Sequence, residues 1–373
     1  MKRAQCLASM ACWLTTVVAS TRAAEQAAPA PLVIETVAGN GQRGDLPADR
    51  SPALCVPVDL PFGVEIGPQG ALYVTSIGQH RVLRLDRTSG RISSVAGSGV
   101  QGYAGDGQAA TEAQLNEPYE VRFDGESNLY FVEMQNHLIR RVDARNGTSS
   151  TVAGAPEAGY AGDHGPARDA RFRQPHSIAL DDRGHLYVAD IGNHRIRRID
   201  LKAGMITSIA GNGRPELPRD GTVAQGNPIL GPRALAIVGR TLWIALREGN
   251  SIWRLDLDSL LIRHVAGTGQ AGYSGDGQAA LAATFNGPKG IAATADGLVY
   301  VVDSENQAIR AIHTLSGRID TVAGAGPQAR GFAGEKSSAL GAKLDRPHGI
   351  CIPPAGGLFL GDTNNHRVRW VHP

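Results

Sequence analysis

The chain has 373 residues and a formal net charge of +2, with basic and acidic residues interspersed along its length. This distribution offers no polybasic surface, which argues against nucleic acid as a partner. Forty-seven Gly and 21 Pro residues, with only 5% aromatic residues, are typical of many short strands joined by tight turns.

The first segment has the layout of a secretory signal. Lys2 and Arg3 precede an apolar stretch over residues 7–19, and small residues follow up to Ala24. The apolar stretch is too short for a membrane span, and no later stretch of the chain could cross a bilayer. We therefore expect a signal peptide at 1–23, a linker at 24–35 and a secreted or periplasmic protein with no membrane span. An uncleaved anchor is the alternative.

A four-residue string recurs six times after this segment, at intervals of about 57 residues. It consists of Thr, Ser or His, then Val or Ile, then Ala-Gly, and its copies begin at Thr36, Ser94, Thr151, Ser208, His264 and Thr321. A fixed period of this length indicates one supersecondary unit that is repeated along the chain.

Residues 172–211 give the clearest copy of the unit. Apolar runs with alternating polar residues are separated by turn residues such as Asp181–Gly184. The pattern predicts four strands, at Pro175–Leu180, His185–Ala189, His194–Asp200 and Met205–Ala210. Four antiparallel strands in so short a segment form one blade of a β-propeller.

The repeats therefore predict an all-β fold, a six-bladed β-propeller of four-stranded antiparallel blades over residues 36–373. The predicted blades span about 58–97, 115–154, 172–211, 229–267, 285–324, and 344–373 together with 32–39. The chain stops three strands after the sixth string, whereas Thr36–Gly39 has no blade before it. We expect Thr36–Gly39 to supply the outer strand of the last blade, which closes the ring and removes both sheet edges.

The residues left over in each period form a loop between consecutive blades. Asp106 and Asp276 stand in two of these loops, directly before Ala-rich stretches. They are predicted to cap the N-termini of one-turn helices. Calcium binding is the alternative, although one carboxylate per loop falls short of the roughly six to eight oxygen ligands that calcium takes.

Two segments carry a family resemblance. Asp190–Ile196 and Asp362–Val368 resemble NHL repeats, in which an Asn-His pair follows the second strand. The Val-Ala-Gly and Gly-Tyr-Ser-Gly-Asp-Gly strings are similar to those of exported bacterial NHL proteins and of the teneurin propeller. The Asn-His pairs recur once per blade, so they are predicted to form turns. Leu246–Asn250 and the irregular loop Gly41–Pro61 depart from the pattern.

The candidate site is the mouth of the central channel. In a propeller, the loop that enters each inner strand shares a face with the turn between the second and third strands. The residue after each inner-strand Pro is therefore expected at the mouth, which gives Phe62, Tyr119, His176, Arg233, Lys289 and His348. Two His, two cations and two aromatic residues around a concave axis predict a ligand site. The alternative is that these residues only bind neighbouring loops.

An enzyme is the second interpretation of the same residues. The segments around His176 and His348 resemble zinc-ligand segments of the peptidyl-hydroxyglycine lyases, which are NHL-type propellers. That resemblance implies three His from alternate blades, but these two fall in opposite blades, and Phe62 and Lys289 occupy the remaining positions. A metal-dependent lyase or a lactonase-like hydrolase, with zinc or calcium, is therefore the alternative; no cofactor is firmly implied.

Two cysteines remain in the predicted mature chain. Cys55 and Cys351 fall in the first and last repeats, which are neighbours in a closed ring. A disulfide across the seam and two free thiols are both compatible with this placement. As a whole, the sequence predicts an exported, monomeric binding module, which takes a small anionic or sugar-like ligand at the mouth or docks another exported protein.

Overall fold

The computed structural model describes residues 31–47 and 50–373. The predicted signal peptide and most of the predicted linker lie outside the described residues. Six antiparallel sheets surround a central channel, and each contains four blade strands, of which only the inner strand of blade 6 is as short as two residues. The prediction of an all-β six-bladed propeller is confirmed. No helix in the described part of the chain is long and apolar enough to cross a membrane.

The blades are numbered 1 to 6 from the first inner strand, and each runs from the channel outwards. The inner strands are Pro61–Ile66, Pro118–Phe123, Pro175–Leu180, Pro232–Val238, Pro288–Ala293 and Ile350–Cys351. The second strands are Leu72–Ser76, Leu129–Glu133, His185–Asp190, Thr241–Leu246, Leu298–Asp303 and Leu358–Asp362. The third strands are Arg81–Asp86, Leu138–Val142, Arg195–Asp200, Ser251–Asp256, Ala308–His313 and Arg367–His372.

The outer strands complete the blades and pair in places with short strands of the loops. The outer strands are Arg91–Ala96, Ser149–Ala153, Met205–Ala210, Ile262–Ala266, Arg318–Ala323 and, for blade 6, Val33–Ala38. The short strands are Ser51–Pro52, Gln278–Ala279 and Ser337–Ser338. Single-turn 3-10 helices lie at Pro68–Gly70, Ile77–Gln79, Ala110–Glu112, Ala167–Asp169, Ile191–Asn193, Ala280–Ala282, Ser304–Asn306, Ala339–Gly341 and Thr363–Asn365.

The N-terminal strand closes the ring as predicted. Val33–Ala38 pairs antiparallel with the last strand of the chain, and Glu35 lies opposite Trp370. The strand begins three residues before the repeated string, as the outer strand of blade 3 does, and Val33 and Ile34 also pair with Ser337–Ser338 on their other side. Blade 6 is thus built from both ends of the described chain, and no long sheet edge is left open at the seam.

Six apolar clusters hold the blades together, one at each junction between neighbouring blades. At the junction of blades 2 and 3, for example, Val132 and Ile139 pack with Ile178 and Val188, and all four are fully buried. Phe172 from the connecting loop fills the same cluster. Since full burial of such a side chain contributes about 1.5–3 kcal/mol, the stability of the ring resides mainly in these junctions.

The repeated Val-Ala-Gly string marks the C-terminal end of every outer strand. In blade 3, Ile209 is skipped in the pairing with the third strand, so the outer strand has a bulge there. Gly211 then takes φ +91°, and a Cβ atom on it would lie 2.2 Å from the backbone oxygen of His194. The string recurs because a bulge and a closely packed glycine are needed at this point in each blade.

Four blades carry a fully buried arginine on the third strand. Each arginine is paired with a buried carboxylate at the end of the second strand and with an acid of the preceding loop. The arginines are Arg140, Arg197, Arg310 and Arg369; the buried acids are Glu133, Asp190, Asp303 and Asp362; the loop acids are Asp106, Asp163, Asp276 and Glu335. The network therefore anchors the loop from one blade onto the next.

This network corrects the prediction for Asp106 and Asp276. Neither caps a helix: the N-cap positions are Ala109 and Ala279, and no side chain caps either helix. Asp106 instead lies 2.8 Å from Nη2 of Arg140, and Asp276 lies 2.8 Å from Nη2 of Arg310. Each carboxylate is thus occupied by a guanidinium group, which a bound calcium ion would have to displace.

One hydrogen bond between blades recurs at all six junctions. The acceptor is the side chain of the residue that follows the turn after each second strand, and this residue has a left-handed backbone. The donor is the backbone N–H of the residue that precedes the inner-strand Pro of the next blade. The acceptors are His80, His137, His194, Asn250, Gln307 and His366, and the donors are Glu117, Gln174, Gly231, Gly287, Arg346 and Leu60. The prediction that the Asn-His pairs form turns is confirmed.

These bonds predict a loss of stability in mild acid. Nδ1 of His80, His137 and His194 must be unprotonated to accept, and burial lowers the pKa of all three imidazoles. In the unfolded chain these imidazoles have a pKa of about 6.5. As the pH falls through this value, the unfolded chain therefore takes up more protons than the folded protein. The contribution of these bonds to the free energy of unfolding should be complete above this pH and decrease below it, by about 1 kcal/mol for each bond lost.

The matched variant for this prediction exists within the chain, because Asn250 does the same task without titrating. The double variant His137→Asn, His194→Asn should lose less stability than the wild type between about pH 8 and about pH 5. Urea denaturation at each pH gives the measurement. If the free energy of unfolding decreases equally with falling pH in the two proteins, the imidazoles do not act as acceptors.

Candidate functional site

A cavity of about 580 Å³ opens on the channel axis, and the structure brings all six predicted mouth residues together in its wall. Each of them follows a proline that starts an inner strand or leads into it. The residue before each proline has positive φ, for example 50° at Gln174 and 57° at Gly231. This residue also donates the hydrogen bond to the preceding blade, so each mouth side chain is fixed two positions away from a junction.

One half of the mouth is aromatic. The imidazole of His348 stacks on the ring of Phe62 with their centroids 3.8 Å apart. Phe62 contacts Tyr119 at 4.5 Å, and Tyr119 meets the imidazole of His176 edge-on at 4.9 Å. The four rings belong to blades 6, 1, 2 and 3 and form a continuous series of ring contacts along one side of the mouth.

The other half is cationic. Arg233 of blade 4 and Lys289 of blade 5 lie beside each other in the ring, and Arg247 and Arg346 complete the lining. Lys289 donates to Oε1 of Glu305 at 2.6 Å, and Arg346 Nη2 lies 3.0 Å from the same oxygen. Arg247 pairs with its neighbour Glu248. Four cations therefore face two carboxylates in this half, and the wall has a net positive charge.

Arg233 is the cation without a counter-charge. Only 3% of the residue is exposed, and its guanidinium makes no hydrogen bond or ion pair with any residue that the structure describes. Its guanidinium carbon lies 5.5 Å from the centroid of the Tyr119 ring. Burial lowers the pKa of Arg233 to about 10, so it is still charged at neutral pH. Because a buried charge without a partner is costly, this position is suited to an anion from outside the chain.

The two histidines of the mouth are neutral. Each donates a hydrogen bond from Nδ1, which leaves Nε2 as an acceptor. Nδ1 of His176 lies 2.6 Å from the backbone oxygen of Gln174, and Nδ1 of His348 lies 2.8 Å from that of Arg346. A carbonyl oxygen only accepts, so Nδ1 carries the proton in both rings and Nε2 has a free lone pair. Burial, and secondarily the charge of Arg233 or Lys289, lowers the pKa of both imidazoles well below its ordinary value.

These residues do not fit a catalytic zinc ion. His176 and His348 are separated by the rings of Phe62 and Tyr119, and the cations Arg233 and Lys289 share the cavity. Within residues 31–47 and 50–373, no three His, Cys, Asp or Glu side chains are grouped so that they could hold a metal ion. A divalent cation would have two nearby positive charges and, within the described residues, no third ligand beside the two imidazoles.

The disulfide considered for the seam is not formed. Cys55 is an exposed free thiol in the segment after Ser51–Pro52, a short strand that pairs with the outer strand of blade 1. Cys351 is a buried free thiol in the inner strand of blade 6. The two residues lie at different distances from the channel axis, which is why adjacency of their blades does not bring them together.

Part of the wall was not named from the sequence. Arg247, Glu248 and Glu305 come from the turns between second and third strands, and Arg346 precedes an inner-strand Pro. Because these turns were expected on the same face as the inner-strand loops, their charged residues could have been predicted at the mouth. What the sequence could not indicate is which of these charges pair with one another.

Comparisons with known proteins agree with this architecture. The NHL repeat family matches residues 172–199 and 344–371, and the teneurin NHL domain matches residues 264–330. The chain thus carries segments that match NHL repeats, within a six-bladed β-propeller. These matched segments include the blade 3 and blade 6 turns from which the sequence resemblance was drawn.

Relatives of this propeller are longer proteins. The chain is 29% identical to the Arabidopsis thaliana chloroplastic protein SUPPRESSOR OF QUENCHING 1. The match covers 75% of this chain and 27% of the relative. The chain is 27% identical to chicken NHL repeat-containing protein 2 over 84% of its length and 46% of the relative. The chain thus spans less than half of the length of either relative.

Solved structures share the fold at low sequence identity. An auxiliary nutrient binding protein from Bacteroides ovatus superposes with a TM-score of 0.65 and 17% identity, over 92% of this chain and 77% of that one. At this identity the likeness establishes a common propeller architecture, and the lining of the mouth has to be interpreted from this chain's own residues.

Removal of the unpaired Arg233 guanidinium should stabilise the folded protein. Arg233→Met keeps the approximate volume and removes the buried charge, so the free energy of unfolding should rise by about 1 to 3 kcal/mol. The matched control is Arg197→Met, which leaves Asp190 buried without its partner and should lower stability by about 3 to 5 kcal/mol. Chemical denaturation measures both. A loss of stability in Arg233→Met would mean that Arg233 has a structural role.

Proposed function

We propose that this propeller is a ligand-binding module whose channel mouth holds a small organic anion. The observation that carries the proposal is Arg233, a buried guanidinium that lines the cavity and has no partner in the described part of the chain. An anionic group of a ligand supplies the missing counter-charge. A charge-assisted hydrogen bond to a planar guanidinium is favourable and directional, which suits a carboxylate or a phosphate.

The rest of the wall supports an organic ligand over a bare ion. The rings of Phe62 and Tyr119 offer an apolar surface opposite the cations, against which a flat or hydrocarbon body can pack. The free Nε2 atoms of His176 and His348 can accept hydrogen bonds from hydroxyl groups. The cavity volume of about 580 Å³ lies within the range of sites for small molecules.

We also propose that the protein is exported. Support comes from the charged, apolar and small-residue order of residues 1–23. An exported binding module is compatible with the description of the Bacteroides ovatus relative as an auxiliary nutrient binding protein, although that likeness extends only to the fold. N-terminal sequencing of the protein recovered from an exporting bacterial host should find a start near residue 24, and a start at Met1 would contradict export.

The binding proposal is tested by thermal denaturation with benzoate, which combines a ring with a carboxylate, and with benzyl alcohol as its uncharged analogue. Benzoate should raise the Tm in a concentration-dependent manner, because stabilisation reaches about 2.7 kcal/mol at 100 times the Kd. Benzyl alcohol should have a much smaller effect. Arg233→Met should abolish the benzoate shift, whereas Arg183→Met, a change on the exposed surface, should retain it.

Two outcomes contradict the binding proposal. If benzoate stabilises Arg233→Met as much as it does the wild type, the anion binds elsewhere. If benzyl alcohol and benzoate give equal shifts, the mouth recognises the ring and not the charge. Increasing ionic strength should weaken the benzoate shift only modestly, because a buried ion pair is screened less than one at the surface.

A further inference from the structure

Lys289 is exceptional in this chain for its residue type and for its burial. Only five of the 37 Lys and Arg residues are lysines. Of the four lysines in the described ranges, Lys202, Lys336 and Lys343 are exposed, whereas Lys289 is 6% exposed and lines the mouth. At a position where arginine would serve as a permanent charge, the chain presents a primary amine, which can also act as a nucleophile.

The surroundings of this amine can handle protons. Nζ of Lys289 lies 2.6 Å from Oε1 of Glu305, and Arg346 holds the same oxygen. The side chain of Glu305 is about one third exposed, so it can exchange protons with solvent. Burial lowers the pKa of Lys289 to about 8 against the opposing effect of Glu305, and the charges of Arg346 and Arg233 act in the same direction as burial. The amine is therefore neutral far more often than a surface lysine at the same pH.

We propose that Lys289 forms an imine with a 2-oxo acid whose carboxylate is bound by Arg233. The proposal rests on the proposed anion site, since Arg233 must first hold the ligand. A 2-oxo acid carries its carboxylate and its carbonyl group on adjacent carbon atoms. It can therefore offer one group to each of the two cations that neighbouring blades place side by side.

The step balances without an oxidant or a reductant. Lys289 loses one proton to solvent by way of Glu305, and the neutral Nζ attacks the carbonyl carbon, so that a C–N bond forms and the proton released by this nitrogen moves to the carbonyl oxygen to give a carbinolamine. Glu305 then relays a proton from solvent to the hydroxyl group, the C–O bond breaks and water leaves. The net reaction converts a lysine ammonium and a ketone into a protonated imine and water. The low exposure of Lys289 limits hydrolysis of this product.

The test traps the imine on the mature protein. The protein is incubated with phenylpyruvate and sodium cyanoborohydride, digested and analysed by mass spectrometry for the reduced adduct at each lysine. Lys289 should be modified roughly ten-fold or more faster than Lys202, Lys336 and Lys343, because its lower pKa leaves more neutral amine. Lys289→Arg should remove this fast modification, and Lys202→Arg, the matched surface variant, should leave it unchanged.

The outcome is separable from that of the proposed function. Phenyllactate has the same ring and carboxylate but no ketone, so its Arg233-dependent stabilisation of the wild type reports binding alone. Adducts spread evenly over the exposed lysines, or unaffected by Lys289→Arg, overturn the imine proposal even where phenyllactate stabilises the protein. Because the modified site is identified in the wild type itself, the test remains decisive if Lys289→Arg does not fold. Absence of both the adduct and the phenyllactate shift overturns both proposals.

Discussion

The hydrogen bond between each blade and the next is the constraint on which the mouth depends. A side chain with a left-handed backbone, such as His194, accepts from the amide of Gly231, and Arg233 follows two residues later. Asn250 and Gln307 perform the same task ahead of Lys289 and His348. Every mouth residue therefore starts from a fixed backbone position, and the aromatic and cationic halves are preorganised before any ligand arrives.

The buried ion pairs and the apolar clusters stabilise this arrangement from outside. In four blades a guanidinium joins the end of the second strand to the loop that arrives from the preceding blade. Blade 4 has Leu246 and Trp253 at the same two places, so apolar packing and a hydrogen bond from Nε1 of Trp253 to Oγ of Ser251 take the place of the ion pairs. The same blade supplies Arg233, the one cation of the mouth that the described residues leave without hydrogen bond or ion pair.

The sequence was sufficient for the fold because the repeat is a property of the backbone. The repeated string and the proline at each inner strand mark local requirements, so the blades, the ring closure and the six mouth positions could be predicted. The bulge before Gly211 and its left-handed backbone came only from the structure. The partners of Asp106 and Lys289 could not be predicted, because both pairs depend on the directions of side chains that come from different strands and loops. The separation of Cys55 from Cys351 escaped prediction for the same reason: a period gives the blade but not the distance from the axis.

The central claim is that the mouth is a preformed anion site organised around Arg233. A crystal structure of the mature protein grown with phenyllactate tests this claim most directly. The account predicts the carboxylate within hydrogen-bonding distance of the Arg233 guanidinium, the phenyl ring against Phe62 and Tyr119, and inner-strand positions unchanged from the free protein. An empty mouth with Arg233 turned to pair with Glu248, or phenyllactate bound elsewhere on the surface, would contradict it.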